Sequence, residues 1–177
     1  MNMSVHIRNP FNLAIIAAAI ACSAATAGAG VIDTALPTIS NSASTRMLYI
    51  VPGVQNSGGL ETAFICSSLD TSGPQTVAIE VFDAAGGAPL NNVALPTGDG
   101  NEVVQVGGTV TISTGTLTGM HEDEAIVSLT DAHNGTARIL STTTRLVCTA
   151  MVVNKASTPP SLISTLNVFA RRKQNGD

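Results

Sequence analysis

Apolar and polar residues alternate along most of the chain. Residues 75–83, for example, place Val77, Ile79 and Val81 on one face of a strand and Glu80 on the other. Because successive side chains of a strand point to opposite faces, a period of two predicts β-structure. No segment after the N-terminal apolar run has a clear helical period. Short strands at regular spacing, separated by Gly, Pro and Asn turns, predict an all-β sandwich or barrel.

The turn residues divide the chain into short strands, most of which should carry one apolar face. Val110 and Ile112 are expected to point inward, as are Val127 and Leu129. Pro52 is expected to end the first strand. The strands are predicted at residues 47–51, 60–68, 75–83, 91–95, 102–106, 109–114, 125–131 and 162–169, with two more within 136–153.

Residues 136–153 are predicted to form a hairpin around which the other strands are arranged. Its two strands are joined by a short turn, and the second carries Cys148. Asn134-Gly135, just before it, is the strongest turn signal in the chain, because both residues tolerate positive φ. Asn134-Gly135-Thr136 also has the form of an N-glycosylation acceptor, but the turn explains it fully.

Cys66 and Cys148 are predicted to form a disulfide bond. If Glu61 and Arg145 face water, both cysteines lie on the inward faces of their strands. Two buried free thiols would also pack well as small apolar groups. Export favours the bond, because disulfides persist in oxidising compartments. We therefore expect the bond to join two strands across the sandwich.

The N-terminus has the three parts of a signal peptide. A polar segment (residues 1–12) precedes a short apolar run (residues 13–21) and the cleavage site Ala25-Thr26-Ala27. The apolar run is too short to span a bilayer, and no later stretch qualifies. We expect a signal peptide over residues 1–27, a flexible leader or weak edge strand over 28–45, the β-sandwich over 46–170 and a basic polar tail over 171–177.

Cys22 supports an alternative interpretation of the N-terminus. Ala19-Ile20-Ala21-Cys22 is similar to the bacterial lipoprotein box. Cleavage there would make a lipidated Cys22 the first residue, and its lipid would anchor the protein to the membrane. The usual leucine at the first position is missing, and a conventional cleavage site follows. We favour cleavage after Ala27.

Composition excludes several classes of function. Charged residues make up 11% of the 177 residues and the net charge is −4, so there is no basic field for nucleic acid. Aromatic residues make up 3%, too few for the stacking surfaces of sugar-binding or single-strand-binding domains. The expected partner is a protein or a cell-envelope surface. Arg171-Arg172-Lys173 is more simply a solvated tail than a contact to an anionic surface.

The densest polar cluster is the run His121-Glu122-Asp123-Glu124. Its oxygens are suitable calcium ligands, with Asp99 or Asp131 as further candidates. The spacing matches neither an EF-hand nor the HExxH zinc helix. A solvated acidic loop is therefore favoured, and no metal or other cofactor is expected.

Catalytic chemistry finds little support in the sequence. A serine hydrolase needs Ser, His and a carboxylate that converge beside oxyanion donors. The expected mature chain has only His121 and His133, and no GxSxG elbow is present. The disulfide leaves no cysteine as a nucleophile. We expect no enzymatic activity.

The segments AFICSSL, VAIEVFDAAGG and GTARILSTTTRLVCTAMVV resemble small uncharacterised exported bacterial proteins with one β-domain. The cysteine pair also resembles the inter-sheet disulfide of immunoglobulin domains, although the core Trp and the tyrosine two residues before Cys148 are missing. The resemblance implies a single Ig-like antiparallel β-sandwich and no activity.

These expectations favour a secreted, periplasmic or cell-surface protein with a non-enzymatic structural or adhesion role. One alternative is a fibre or pilus subunit completed by strand donation, with residues 28–45 as the donor arm. Pro37 and the poor alternation of this arm argue against it. The other alternative is a ligand- or calcium-binding β-sandwich module.

The first testable prediction concerns the cleavage site of the signal peptide. The mature chain should begin at Gly28, because the apolar run and the small residues before it direct cleavage after Ala27. Intact-mass measurement of the exported protein checks this. A mature chain that begins at an acylated Cys22 would show that the lipoprotein interpretation is correct.

Overall fold

The computed structural model describes residues 30–96, 98–116 and 122–171; the predicted signal peptide, Cys22 and most of the basic tail lie outside this range. Every regular element within it is a strand, so the all-β prediction is confirmed for this part of the chain. No helix in it is long and apolar enough to cross a membrane. The strands are β1 (Arg46–Val54), β2 (Asn56–Ser57), β3 (Leu60–Ser68), β4 (Gln75–Phe82), β5 (Asn101–Val104), β6 (Thr109–Ser113), β7 (Glu124–Ala125), β8 (Gly135–Ser141), β9 (Leu146–Asn154), β10 (Ile163–Leu166) and β11 (Phe169–Ala170).

The strands form two sheets. The first has the order β11-β1-β8-β4-β5, and its neighbouring strands are antiparallel. The second has the order β10-β9-β3-β6-β7, with β2 also paired to β3. Within the second sheet, β6 and β7 run parallel and the other pairs are antiparallel. The chain changes sheet repeatedly, for example after β1 and again after β8.

The two sheets share one apolar core. Ile79 and Ile139 of the first sheet belong to the same buried cluster as Phe64 of the second. Alternation places these side chains on the facing sides of the sheets. The hydroxyl group of Tyr49 in β1 donates a hydrogen bond to the carbonyl oxygen of Leu146 in β9, at 2.5 Å, and so links the sheets directly.

Cys66 and Cys148 form a disulfide bond, as the alternation argument predicts. The predicted position across the sandwich is wrong, however. The two residues lie directly opposite each other on β3 and β9, which are neighbours in one sheet, and their α-carbons are 4.2 Å apart. Alternation gives only the face of each strand, and two inward residues on adjacent strands satisfy it as well as two on opposite sheets. The bond is therefore a cross-strand link.

The predicted hairpin at residues 136–153 is also absent. β8 pairs with β1 and β4 in the first sheet, whereas β9 pairs with β3 and β10 in the second. The segment between them crosses from one sheet to the other. Asn134 has the expected positive φ, 49°, but it precedes β8 without joining two paired strands. A turn residue sets a local change of direction, and the choice of partner strand depends on distant apolar faces.

Three other strand predictions need correction. β1 continues past Pro52 to Val54, because irregular pairing with β8 accommodates the proline. Residues 91–95 form no strand. The side-chain amide group of Asn91 instead accepts a hydrogen bond from the backbone N–H of Val81 and donates one to the carbonyl oxygen of Ile79. A side chain thus takes the place of a neighbouring strand. In residues 125–131 only the start is a strand, and Val127, predicted to point inward, is 81% exposed.

Residues 162–169 also differ from the prediction. They divide into β10, which pairs with β9 in the second sheet, and β11, which reaches β1 in the first. The chain crosses between the sheets at Asn167 and Val168. One predicted strand therefore supplies an edge to each sheet.

The described part of the leader, residues 30–45, packs against the first sheet. Ile39 is 1% exposed and packs with Leu140 and Ala78 on the outer side of that sheet. The segment forms no strand. Its backbone is held by a side chain from the sheet instead.

That side chain is Arg138 of β8, which is 0% exposed. Its Nη1 donates to the carbonyl oxygen of Thr34 at 2.9 Å, and its Nη2 to that of Ala35 at 3.0 Å. Its Nε is paired with Glu80, directly opposite on β4. Its guanidinium carbon lies 5.2 Å from the centre of the Phe82 ring. One buried cation thus joins two strands to the leader.

The Arg138–Glu80 pair generates a stability prediction. Arg138→Met should lower the free energy of unfolding by about 3–5 kcal/mol, because it leaves the Glu80 carboxylate buried without its cation. Arg138→Met with Glu80→Leu should recover part of this loss, since no charge is then left unpaired. Urea denaturation of the wild type, both single variants and the double variant measures the coupling. Additive losses would contradict the described role of the pair.

Candidate functional site

The acidic run does not converge on one site in the structure. His121 lies outside the described residues. Glu122 accepts a hydrogen bond from Ser113 Oγ at 2.6 Å, and the Asp123 carboxylate accepts one from the backbone of Thr111 at 2.7 Å. Glu124 belongs to β7, and burial raises its pKa while a backbone hydrogen bond from Gly100 lowers it.

The two other predicted calcium ligands are also engaged elsewhere. Asp99 accepts hydrogen bonds from the backbone of Val127 and Ser128, both at 2.9 Å, and so holds the loop after β7. Asp131 contacts His133. Within the described part of the chain, no three His, Cys, Asp or Glu side chains are arranged to hold a metal ion.

Ser57, His133 and Asp131 form a surface chain of hydrogen-bonding contacts. Ser57 Oγ lies 2.8 Å from His133 Nδ1, and His133 Nε2 lies 3.1 Å from Asp131. These are the residue types of a hydrolase triad. The His133 side chain is 69% exposed and that of Asp131 is 61% exposed, so water screens the interaction. Such a position lacks the water-excluding enclosure in which oxyanion stabilisation is effective.

A buried polar cluster lies at one end of β3, where the sequence predicted no functional site. Glu61 was expected to face water, but it is 0% exposed. It does lie on the outer side of the second sheet, and residues around Gly115 and Lys155 cover it there. Neither carboxylate oxygen of Glu61 has a hydrogen-bond partner among the described residues. Burial raises its pKa, the charge of Lys155 lowers it, and the charge of Glu122 raises it.

Asn56 and Lys155 complete this cluster. Lys155 Nζ donates a hydrogen bond to Asn56 Oδ1 at 2.5 Å. Asn56 is 6% exposed, and its Nδ2 donates to the carbonyl oxygen of Leu129 at 2.5 Å. The side-chain amide group of Asn56 is therefore held at both of its ends.

The sequence contains one signal that points to this cluster. Lys155 and Lys173 are the only lysines in the chain, and Lys155 directly follows a long apolar strand. A rare cation beside a core strand indicates a special environment, because buried charges are usually paired. The covering of Glu61 has no sequence signal, because it depends on loops from distant positions.

The second sheet is open on its outer side at the opposite end of β3. Val147 is 49% exposed, and Thr149 and Thr109 are also exposed. Ser67 Oγ lies 2.7 Å from Thr109 Oγ1 on this side. β3, β6, β9 and β10 contain no charged residue except the buried Glu61. This uncharged area is called the open face below.

Comparison with protein-family models, curated proteins and solved structures finds no match for the chain.

The positions of the acidic residues generate a prediction about calcium. Adding calcium should change Tm by less than about 1 °C. A ligand raises Tm only if it binds the native state more tightly than the unfolded state, and the acidic residues do not converge on one native site among the described residues. Thermal unfolding with calcium and with chelator measures the change. A rise of several degrees that Glu122→Gln with Glu124→Gln abolishes would support a calcium-binding module instead.

Proposed function

We propose that the protein is an exported, non-enzymatic β-sandwich domain with a structural or adhesive role at the cell envelope. Its partner is a protein or an envelope surface, and the contact is made by the open face of the second sheet. The observation that carries the proposal is the difference between the outer sides of the two sheets. The leader covers the middle of one, where Ile39 packs with Leu140, and the other exposes Val147 and Thr149 to solvent.

The open face has properties that suit protein contact. It presents small hydroxyl and aliphatic side chains without charge, so its burial against a partner requires little desolvation. Interfaces of this kind have few charged residues in their core.

We propose an Ig-like sandwich in the broad sense of the term. Two predominantly antiparallel sheets, repeated crossing of the chain between them and one shared core support this proposal. The cross-strand position of Cys66–Cys148 separates the protein from immunoglobulin domains, in which the disulfide joins the two sheets.

Several observations support a role without catalysis. The histidine that approaches a serine and a carboxylate, His133, is largely exposed. The carboxylates of Asp99 and Asp123 accept backbone hydrogen bonds that hold loops in place. These groups stabilise the fold, which is the use expected in a structural domain.

The strand-donation alternative gains less support. A donor arm must leave its own domain to complete another, but residues 30–45 lie on their own first sheet, where Arg138 bonds three of their carbonyl groups. Electron microscopy of native material distinguishes the two roles. Fibres that disappear when residues 28–45 are removed would favour the pilus subunit.

A charge on the open face tests the proposal. Val147→Glu should reduce the fraction of protein retained on washed cells several-fold, because it places a carboxylate in the contact. Val103→Glu is the matched control, since Val103 is 51% exposed but lies on the outer side of the first sheet. Both variants should keep the wild-type Tm. Equal retention of both variants, or a wild type found entirely in the medium, would refute the proposal.

A further inference from the structure

The cluster of Asn56, Glu61 and Lys155 is assembled by pairing on both sides of β3. Asn56 lies directly opposite Glu61 in the β2–β3 hairpin. On the other side of β3, Asn154 lies opposite Leu60, and Lys155 follows as the next residue. The backbone of Lys155 donates to the carbonyl oxygen of Gly59 at 2.8 Å. The three side chains are therefore brought together by strand register.

Gly115 shows how closely the three polar groups approach. A β-carbon added there would lie 2.6 Å from Glu61 Oε2, 2.9 Å from Lys155 Nζ and 3.0 Å from Asn56 Oδ1. All three atoms thus surround one point, and only glycine leaves room for them. The carboxyl group, the amine and the carboxamide lie close enough to exchange protons after small movements.

The arrangement differs from that of a buried ion pair. A structural Lys–Glu pair satisfies the carboxylate with the ammonium group, because an unpaired buried charge is costly. Here Lys155 Nζ is held against the side-chain amide of Asn56, and both oxygens of Glu61 are left without a hydrogen bond among the described residues. Buried polar groups that lack partners in a native fold require a specific explanation.

We propose that Lys155 and Asn56 form an intramolecular amide bond, in which Lys155 Nζ is joined to Asn56 Cγ and Glu61 transfers the protons. The site is a self-modification site, and its substrates are the two side chains themselves. The proposal does not depend on the adhesive role, because it concerns covalent chemistry within the domain.

Protons and charges balance in this reaction. Glu61 takes one proton from the Lys155 ammonium group, and the resulting amine attacks Cγ of Asn56. Glu61 returns that proton to Nδ2 as the Cγ–Nδ2 bond breaks. The ammonia released takes the second proton from Nζ and leaves as ammonium. One ammonium group and one carboxamide become one secondary amide and one ammonium ion, and no oxidant or reductant is needed.

The surroundings suit each step. Burial raises the pKa of Glu61, so its carboxyl group takes up a proton readily. The hydrogen bond from Asn56 Nδ2 to Leu129 fixes the plane of the carboxamide, which orients Cγ toward one attacking group. A pocket lined by Asn56, Gly115 and Lys155 opens to solvent and offers ammonia a way out.

Mass spectrometry tests the bond directly. Under reducing and denaturing conditions, the mature protein should be lighter than its sequence by about 17 Da, the mass of one ammonia. Cyclisation at Asn134-Gly135 would release the same mass, so a peptide map is also needed. After reduction and alkylation, trypsin should leave residues 47–138 joined to residues 146–171, because an acylated Lys155 is not cleaved.

Matched variants identify the residues responsible. Glu61→Gln preserves the shape of the side chain but cannot transfer the proton, and Lys155→Arg keeps the charge but removes the nucleophile. Both should have the full mass. Lys173→Arg, at the other lysine of the chain, should still lose ammonia.

The wild-type map decides the matter even if a variant fails to fold. Release of residues 146–155 and 156–171 as separate peptides would overturn the proposal, whatever the intact mass. Loss of ammonia in Lys155→Arg would overturn it as well, since this variant has no amine at the site.

Discussion

The architecture depends on the contacts of the Arg138 guanidinium group with Glu80 and with the backbone of the leader. This group lies in the central strand of the first sheet, fully buried, and it pairs with Glu80 while bonding carbonyl groups of the leader. A guanidinium provides several donors in a fixed plane, so it can satisfy a carboxylate and irregular backbone together. The leader is thereby held on the first sheet. On the second sheet, Val147 and Thr149 of the open face are exposed to solvent.

Glu61 and Glu80, two buried carboxylates, show opposite solutions to the same physical problem. Glu80 is paired with a cation and belongs to the stable framework. Glu61 is just as deeply buried, but its oxygens have no hydrogen-bond partner in the described part of the chain. Since unpaired polar groups destabilise a fold, the second arrangement points to chemistry and the first to structure.

The pairing of β3 with β9 connects the disulfide to the proposed amide bond. Cys66 and Cys148 join these strands near one end, and Lys155 lies just beyond the pair formed by Leu60 and Asn154 at the other. The amide bond would join Lys155 to Asn56 of β2, the hairpin partner of β3, so the β2–β3 hairpin and β9 would be linked covalently near both ends of β3. Such cross-linking would suit the structural role proposed above, and both links lie in the sheet that carries the open face.

The sequence by itself determined most of the strands and the inward faces of β3, β4 and β6, because alternation is a local property of each segment. It was wrong for residues 91–95 and for the face of Val127, where contacts from elsewhere in the fold decide the outcome. It placed Cys66 and Cys148 inward correctly for the same reason. It did not determine that β8 and β9 belong to different sheets, because partner choice depends on the burial of distant apolar faces. Tertiary structure alone decided that Glu61 is covered and lies beside Asn56 and Lys155. An outward position in a strand becomes buried only when loops from elsewhere cover it, and no local pattern records that event.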